Sequence, residues 1–196
     1  MTSIREIDNT LPSYYTLSNK NLIIIAHVRD ETIYFYNELG EHTTIILLAE
    51  PSCYYLKKVF LDFMNDLGVT VIDVREKETF DSNYKISDRS IGIICKMISQ
   101  YNYKKIITHP KYAYDNDPQN RAIYDVVSQF MDQIGHNNHY TYNMHKEGKK
   151  KDICGIQKGI IELYSIEPHM KNRINKRVYD NYISISGNMN GTKKLK

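Results

Sequence analysis

The 196-residue chain is 41% hydrophobic and 25% charged, the balance of one globular domain closing a single core rather than a repeat array or a multi-domain machine. Its longest apolar runs, Leu22–Ala26 and Ile45–Ala49, are too short to cross a bilayer, which excludes a helical membrane span. The polar start, with no apolar segment behind it, predicts an intracellular, cytoplasmic protein. The formal charge of +3 is uneven, since residues 146–196 hold 12 Lys/Arg against 5 Asp/Glu and the first 145 hold 14 against 18. Such a basic end can draw anions, but solvated lysines account for it more simply. Cys53, Cys95 and Cys154 stand far apart without CxxC spacing, so neither a disulfide framework nor a thiolate metal cluster is encoded.

Residues 1–20 read as an irregular arm, followed by one α/β domain over 21–185 and a flexible basic tail over 186–196. Asn21–Ala26 is a continuous β-branched run without alternation, the pattern of a strand buried on both faces of a parallel sheet. A short helix is predicted from Thr32 to about Leu39, then a second strand over Thr43–Ala49. Ser52 is positioned to cap a helix over Tyr54–Leu67 that Gly68 stops. Val69–Val74 is the third strand, and the charged segment Arg75–Ile86 reads as a long loop over one sheet edge. A helix starting at Ser87 or Asp88 is expected to turn Ile91, Ile94, Cys95 and Ile98 inward. Lys105–Thr108 is the fourth strand. Asp117 and Pro118 have the chemistry of a helix start, and Gly135 that of its stop. A strand over Tyr140–Met144, a helix over Ile156–Tyr164 and an edge strand over Val178–Ile185 complete the order. His136, His139 and His145 lack the spacing of a structural zinc site and read as part of a polar loop.

Alternating strands and helices predict an α/β fold, a Rossmann-like three-layer sandwich around a mostly parallel sheet, with ligands at the carboxyl ends of the strands. The loops after the first and fourth strands are therefore the places to search. No GxGxxG, P-loop or serine nucleophile elbow is present. The first loop carries Ala26-His27-Val28-Arg29-Asp30-Glu31, in which His27 and Asp30 can face one cation. The fourth-strand loop carries Thr108-His109-Pro110 and then Asp117-Pro118-Gln119-Asn120 opening a helix.

These residues resemble the PIG-L/LmbE-like N-deacetylases, whose first motif is Ala-His-Pro-Asp-Asp-Glu and whose second is His-Pro-Asp-His or His-x-x-His before a helix. Lys158–Ser165 is similar to the family's late helix, so the likeness extends over about residues 20–167. The resemblance implies a Rossmann-like fold and a divalent metal, zinc in the family. It also implies amide hydrolysis that releases acetate from an N-acetylated sugar or sugar conjugate. Carried over, His27 and Asp30 match two metal ligands and Asn120 stands in the place of the third, a histidine. Arg29 falls where the family keeps its base, an Asp, and a guanidinium cannot accept a proton at neutral pH. Asp117 takes the place of a histidine that assists the reaction. Arg29, Glu31 and His109 are the remaining residues expected to line the substrate.

The changes at the base and at one ligand predict altered or lost activity, and the oxygen-rich set of Asp30, Asp117 and Asn120 suits Mg²⁺ or Mn²⁺ better than zinc. The alternative is a non-catalytic sugar or nucleotide-sugar binder on the same fold. Nucleic acid is not an expected partner, because no base-reading element is visible. Oligomeric state is not readable from the sequence.

Overall fold

The computed structural model describes residues 5–6, 21–28, 38–51, 53–101, 103–111, 117–142 and 185–187. Seven described strands, β1 (Arg5–Glu6), β2 (Asn21–Ile25), β3 (Thr43–Glu50), β4 (Thr70–Lys77), β5 (Lys105–Thr108), β6 (His139–Tyr142) and β7 (Ile185–Gly187), form one sheet. Three described helices accompany it: α1 (Tyr54–Asp66), α2 (Asp88–Gln100) and α3 (Pro118–Ile134). The strand order is β1-β4-β3-β2-β5-β6-β7, parallel throughout except for the last pair. This is the mostly parallel α/β arrangement that the sequence predicts.

Alternation along β2 builds two cores. Ile23 and Ile25 join Leu47, Phe60 and Met64 beneath α1. Leu22 and Ile24 face the other way and pack with Ile94, Met97, Ile123 and Val127 of α2 and α3. The sheet is thus a middle layer with helices on both faces, and β2, paired with β3 and β5, has no solvent side. The chain leaves β2 toward β3 on one side, and β5 returns on the other, so the strand order reverses between β2 and β5. That reversal opens the crevice in which ligands bind in such sheets.

Several local expectations are corrected. The helix α1 is capped at Cys53 without a side-chain hydrogen bond, and Ser52 lies outside the described residues. Buried Lys57 ties that helix to the sheet instead. Its Nζ lies 2.6 Å from Asp73 Oδ2 and 2.9 Å from Glu50 Oε1. Burial pushes the ammonium pKa down, but Asp73 and Glu50 outweigh it and hold the group above its usual range.

Strand β4 does not end at Val74. It runs on through Arg75, Glu76 and Lys77, three residues read as loop from their charge. Backbone pairing of Ala49 with Glu76 and of Glu50 with Lys77 holds this extension. Between Leu47 and Ala49 the register shifts, with one extra residue on β4, and Arg75 there adopts a left-handed φ of 63°.

Helix α2 starts at the expected place, with Ser87 Oγ accepting from Ser90 N at 3.2 Å. Its inward stripe is rotated, however: Ser90, Ile93, Ile94, Met97 and Ile98 are buried, while Ile91 and Cys95 are half-buried. The Ser90 hydroxyl donates to Glu76, which draws a polar position inward and turns the stripe with it.

His139 is the first residue of β6 and is buried, rather than part of a loop. Arg5–Glu6, within the expected arm, pair with β4, and Ile185–Gly187, where the late strand meets the tail, pair antiparallel with β6. The rest of that late strand, most of the helix predicted near Thr32, and the helix over Ile156–Tyr164 lie outside the described residues.

Candidate functional site

His27 follows β2 directly, at the carboxyl edge of the sheet and beside the point where the order reverses. It is 2% exposed, because Ala26 and Val28 on either side are core residues and carry it inward. Asp117 arrives from the other side of the crevice as the N-cap of α3. One carboxylate oxygen, Oδ1, accepts from Gln119 N at 2.8 Å and from Asn120 N at 3.0 Å. The second, Oδ2, lies 3.0 Å from His27 Nε2. Burial alone raises the Asp117 pKa, but His27 and the amides of Asn120 and Gln119 outweigh it and hold the carboxyl below the usual carboxylate range. Asp117 is therefore an ionised acceptor at neutral pH.

The other ring nitrogen of His27, Nδ1, lies 3.2 Å from Glu78 Oε1. Glu78 stands just beyond the end of β4, and the sequence reading did not find it. The signal was the strand's continuation past Val74, hidden by three charged residues. Phe80, two residues further on, stacks against the imidazole with 6.1 Å between ring centroids and 18° between planes.

Of the residues expected at the site, His27, Asp117 and Asn120 come together, Asn120 through its backbone contact with Asp117. His109 is buried at the end of β5, the strand beside β2. Arg29, Asp30 and Glu31 lie outside the described residues.

Asn120 is 2% exposed, and its Oδ1 has no hydrogen-bond partner among the described residues. A buried amide oxygen left that way costs about 1–3 kcal/mol, which a bound donor or cation removes. Among the described residues no three His, Cys, Asp or Glu side chains converge on one point. The described polar groups at the crevice are the His27 imidazole, the carboxylates of Asp117 and Glu78 and the buried Asn120 amide oxygen, and oxygen donors of this kind are the ones a hard divalent cation takes.

No family model matches the sequence, and no curated protein matches it. Solved structures do match the fold. The conserved protein TT1542 from Thermus thermophilus is 10% identical with a TM-score of 0.64, over 90% of this chain and 97% of that one. GalB, the 4-carboxy-2-hydroxymuconate hydratase from Pseudomonas putida, is 10% identical with a TM-score of 0.53, over 90% and 100%. The N,N'-diacetylchitobiose deacetylase from Pyrococcus horikoshii is 12% identical with a TM-score of 0.53, over 86% and 83%. The chain thus has the fold of a group of structures that includes a deacetylase and a hydratase.

Proposed function

We propose that the protein is a hydrolase acting on the N-acetyl group of an amino sugar or its conjugate, with a residue set altered from that of the PIG-L/LmbE-like deacetylases it resembles. The observation that carries this reading is the pairing of His27 Nε2 with Asp117 Oδ2 at 3.0 Å, both buried, from two loops at the strand-order reversal. The fold shared with a chitobiose deacetylase supports it.

A divalent cation would be held by Asn120 Oδ1, with Asp30 and His27 as the further expected ligands, and His27 Nε2 would give up its contact with Asp117 Oδ2 to join them, which frees that oxygen. When bound, it polarises the amide carbonyl. The chain's own residues do the rest. Asp117, kept ionised at neutral pH, takes a proton from water at Oδ2 and can return it to the leaving nitrogen; it thereby replaces the base that Arg29 cannot supply. The amides of Gln119 and Asn120 hold its other oxygen, so the carboxylate is oriented before substrate arrives. Burial of His27, Asp117 and Asn120 keeps bulk water from their polar atoms.

Acetate release from N-acetylhexosamines and their conjugates, measured after metal removal and after adding back Mn²⁺, Mg²⁺ or Zn²⁺, tests the reading. The expected result is cation-dependent release that falls by about 10²–10⁴-fold in His27→Ala. No release with any of these cations overturns it.

A second reading, a sugar binder without hydrolysis, is favoured by the two carboxylates already at ion-pair distance from the nitrogens of His27. A rise in melting temperature with an N-acetylated sugar, without acetate release, selects it.

A further inference from the structure

Phe80 is 63% exposed, although a phenylalanine ring ordinarily goes to the core. Single exposed rings are common on protein surfaces, but this one lies against the candidate site. Its plane is 18° from that of His27 with 6.1 Å between centroids, the separation of an offset stack rather than a face-to-face one. The buried imidazole meets only part of the ring, and most of Phe80 stays open to solvent at the mouth of the crevice.

The backbone on both sides of this ring is fixed. Gln119, fully buried on α3, accepts from the Thr79 amide through Oε1 at 3.0 Å and donates from Nε2 to the Lys77 carbonyl at 3.2 Å. Beyond the ring, the Asp81 amide donates to the Thr79 hydroxyl at 3.1 Å. The Asp81 carboxylate accepts from the Asn83 amide at 2.9 Å, and its carbonyl from the Tyr84 amide at 2.9 Å. A backbone held this way loses little freedom when a ligand settles on the ring, so the contact counts toward affinity.

The crevice beside Phe80 is polar. Asn120 Oδ1 is buried without a hydrogen-bond partner among the described residues, and the carboxylates of Glu78 and Asp117 flank His27. A ligand that fits has one apolar face for Phe80 and polar atoms along its edge. A pyranose is built that way: its ring C–H bonds meet the negative face of an aromatic ring, while its hydroxyls and N-acetyl group project from the rim. A nucleobase also stacks, but the phosphate that a nucleotide carries is opposed by the two carboxylates.

We infer that Phe80 is the stacking platform for the sugar ring and sets the site's preference for a pyranose over a nucleotide. The inference rests on the proposed N-acetylated sugar ligand and not on its hydrolysis.

The chain contains no tryptophan, so Phe80→Trp supplies a sole fluorescent reporter at this position. The full-length variant is mixed with N-acetylglucosamine, N,N'-diacetylchitobiose or uridine monophosphate. Its emission is read on mixing, and acetate is measured afterwards in the same samples. Calorimetry gives the affinities of wild type, Phe80→Ala and Phe80→Leu for the two sugars. The emission is expected to move to shorter wavelength with the sugars and to stay in place with the nucleotide. Phe80→Ala and Phe80→Leu should both bind the sugars about 3–10-fold more weakly than wild type, because leucine keeps apolar surface but has no flat face.

Unmoved emission with both sugars, a Phe80→Leu variant that binds them as wild type does, or a response to the nucleotide in place of the sugars overturns the inference. Acetate release with unmoved emission does so while leaving the hydrolase reading in place. A sugar-dependent shift without acetate leaves the inference standing and removes the hydrolase reading instead.

Discussion

His139 and His27 are both 2% exposed, yet their surroundings are opposite. His139 Nε2 sits 2.8 Å from the Thr108 hydroxyl and Nδ1 3.5 Å from that of Ser128, with the Tyr124 ring 5.6 Å away. Burial pushes its pKa down to about 4, against a smaller opposing pull from Asp132. The folded pKa is below the unfolded one, so the unfolded chain takes the proton first. The stabilisation is complete above about pH 6.5 and is lost as pH falls toward 4, by up to about 3 kcal/mol. Urea titrations at pH 7, 5.5 and 4 should therefore show a steeper acid loss in wild type than in His139→Gln. His27 was legible in the sequence because it closes an unbroken apolar strand inside an Ala-His-x-x-Asp-Glu run. Glu78 was not legible: it reaches His27 from about fifty residues away, across a register shift that no local pattern encodes.

Helix α3 is the element read most fully from sequence, because its start and stop are both chemical. Asp117 caps it, Pro118 occupies a position whose N–H has no helical partner, and Gly135 supplies the φ of 68° that closes it. The same cap also contacts His27, and two substitutions separate these roles. Asp117→Ala should cost about 1–2 kcal/mol of unfolding free energy, read by urea denaturation, through loss of both amide contacts. Asp117→Asn keeps an acceptor for the helix amides and should stay within about 0.5 kcal/mol, yet lose most acetate release because the carboxylate is gone. Equal loss of stability in both variants would contradict this division of labour. Elsewhere tertiary contact overrode local pattern. The charged Arg75–Lys77 stays in β4 because β3 supplies backbone partners, and α2 turns because Glu76 draws in Ser90.

For the whole molecule, the layered architecture was readable because β2 and β3 are apolar runs of a length that only a doubly covered sheet can bury. Ile23 and Ile24 feeding separate cores confirm that reason. The strand-order reversal between β2 and β5 is where such a sheet opens its crevice, and the candidate site was sought there for that reason. β1 escaped the sequence reading because two residues carry no periodicity, and among the described residues β7 meets the late edge strand expected over Val178–Ile185 only at Ile185. They are nonetheless placed with consequence. β1 pairs Arg5 with Ile72 and Glu6 with Asp73, while β7 pairs its three residues with β6. Segments drawn from near opposite ends of the polypeptide thus occupy the two rims of the sheet, where unpaired amides would otherwise serve as a template for another copy. Trimming residues 1–20 should bare the rim at Ile72 and Asp73, and light scattering should then report self-association that rises with protein concentration. A trimmed chain that stays monodisperse would show instead that the rim protects itself.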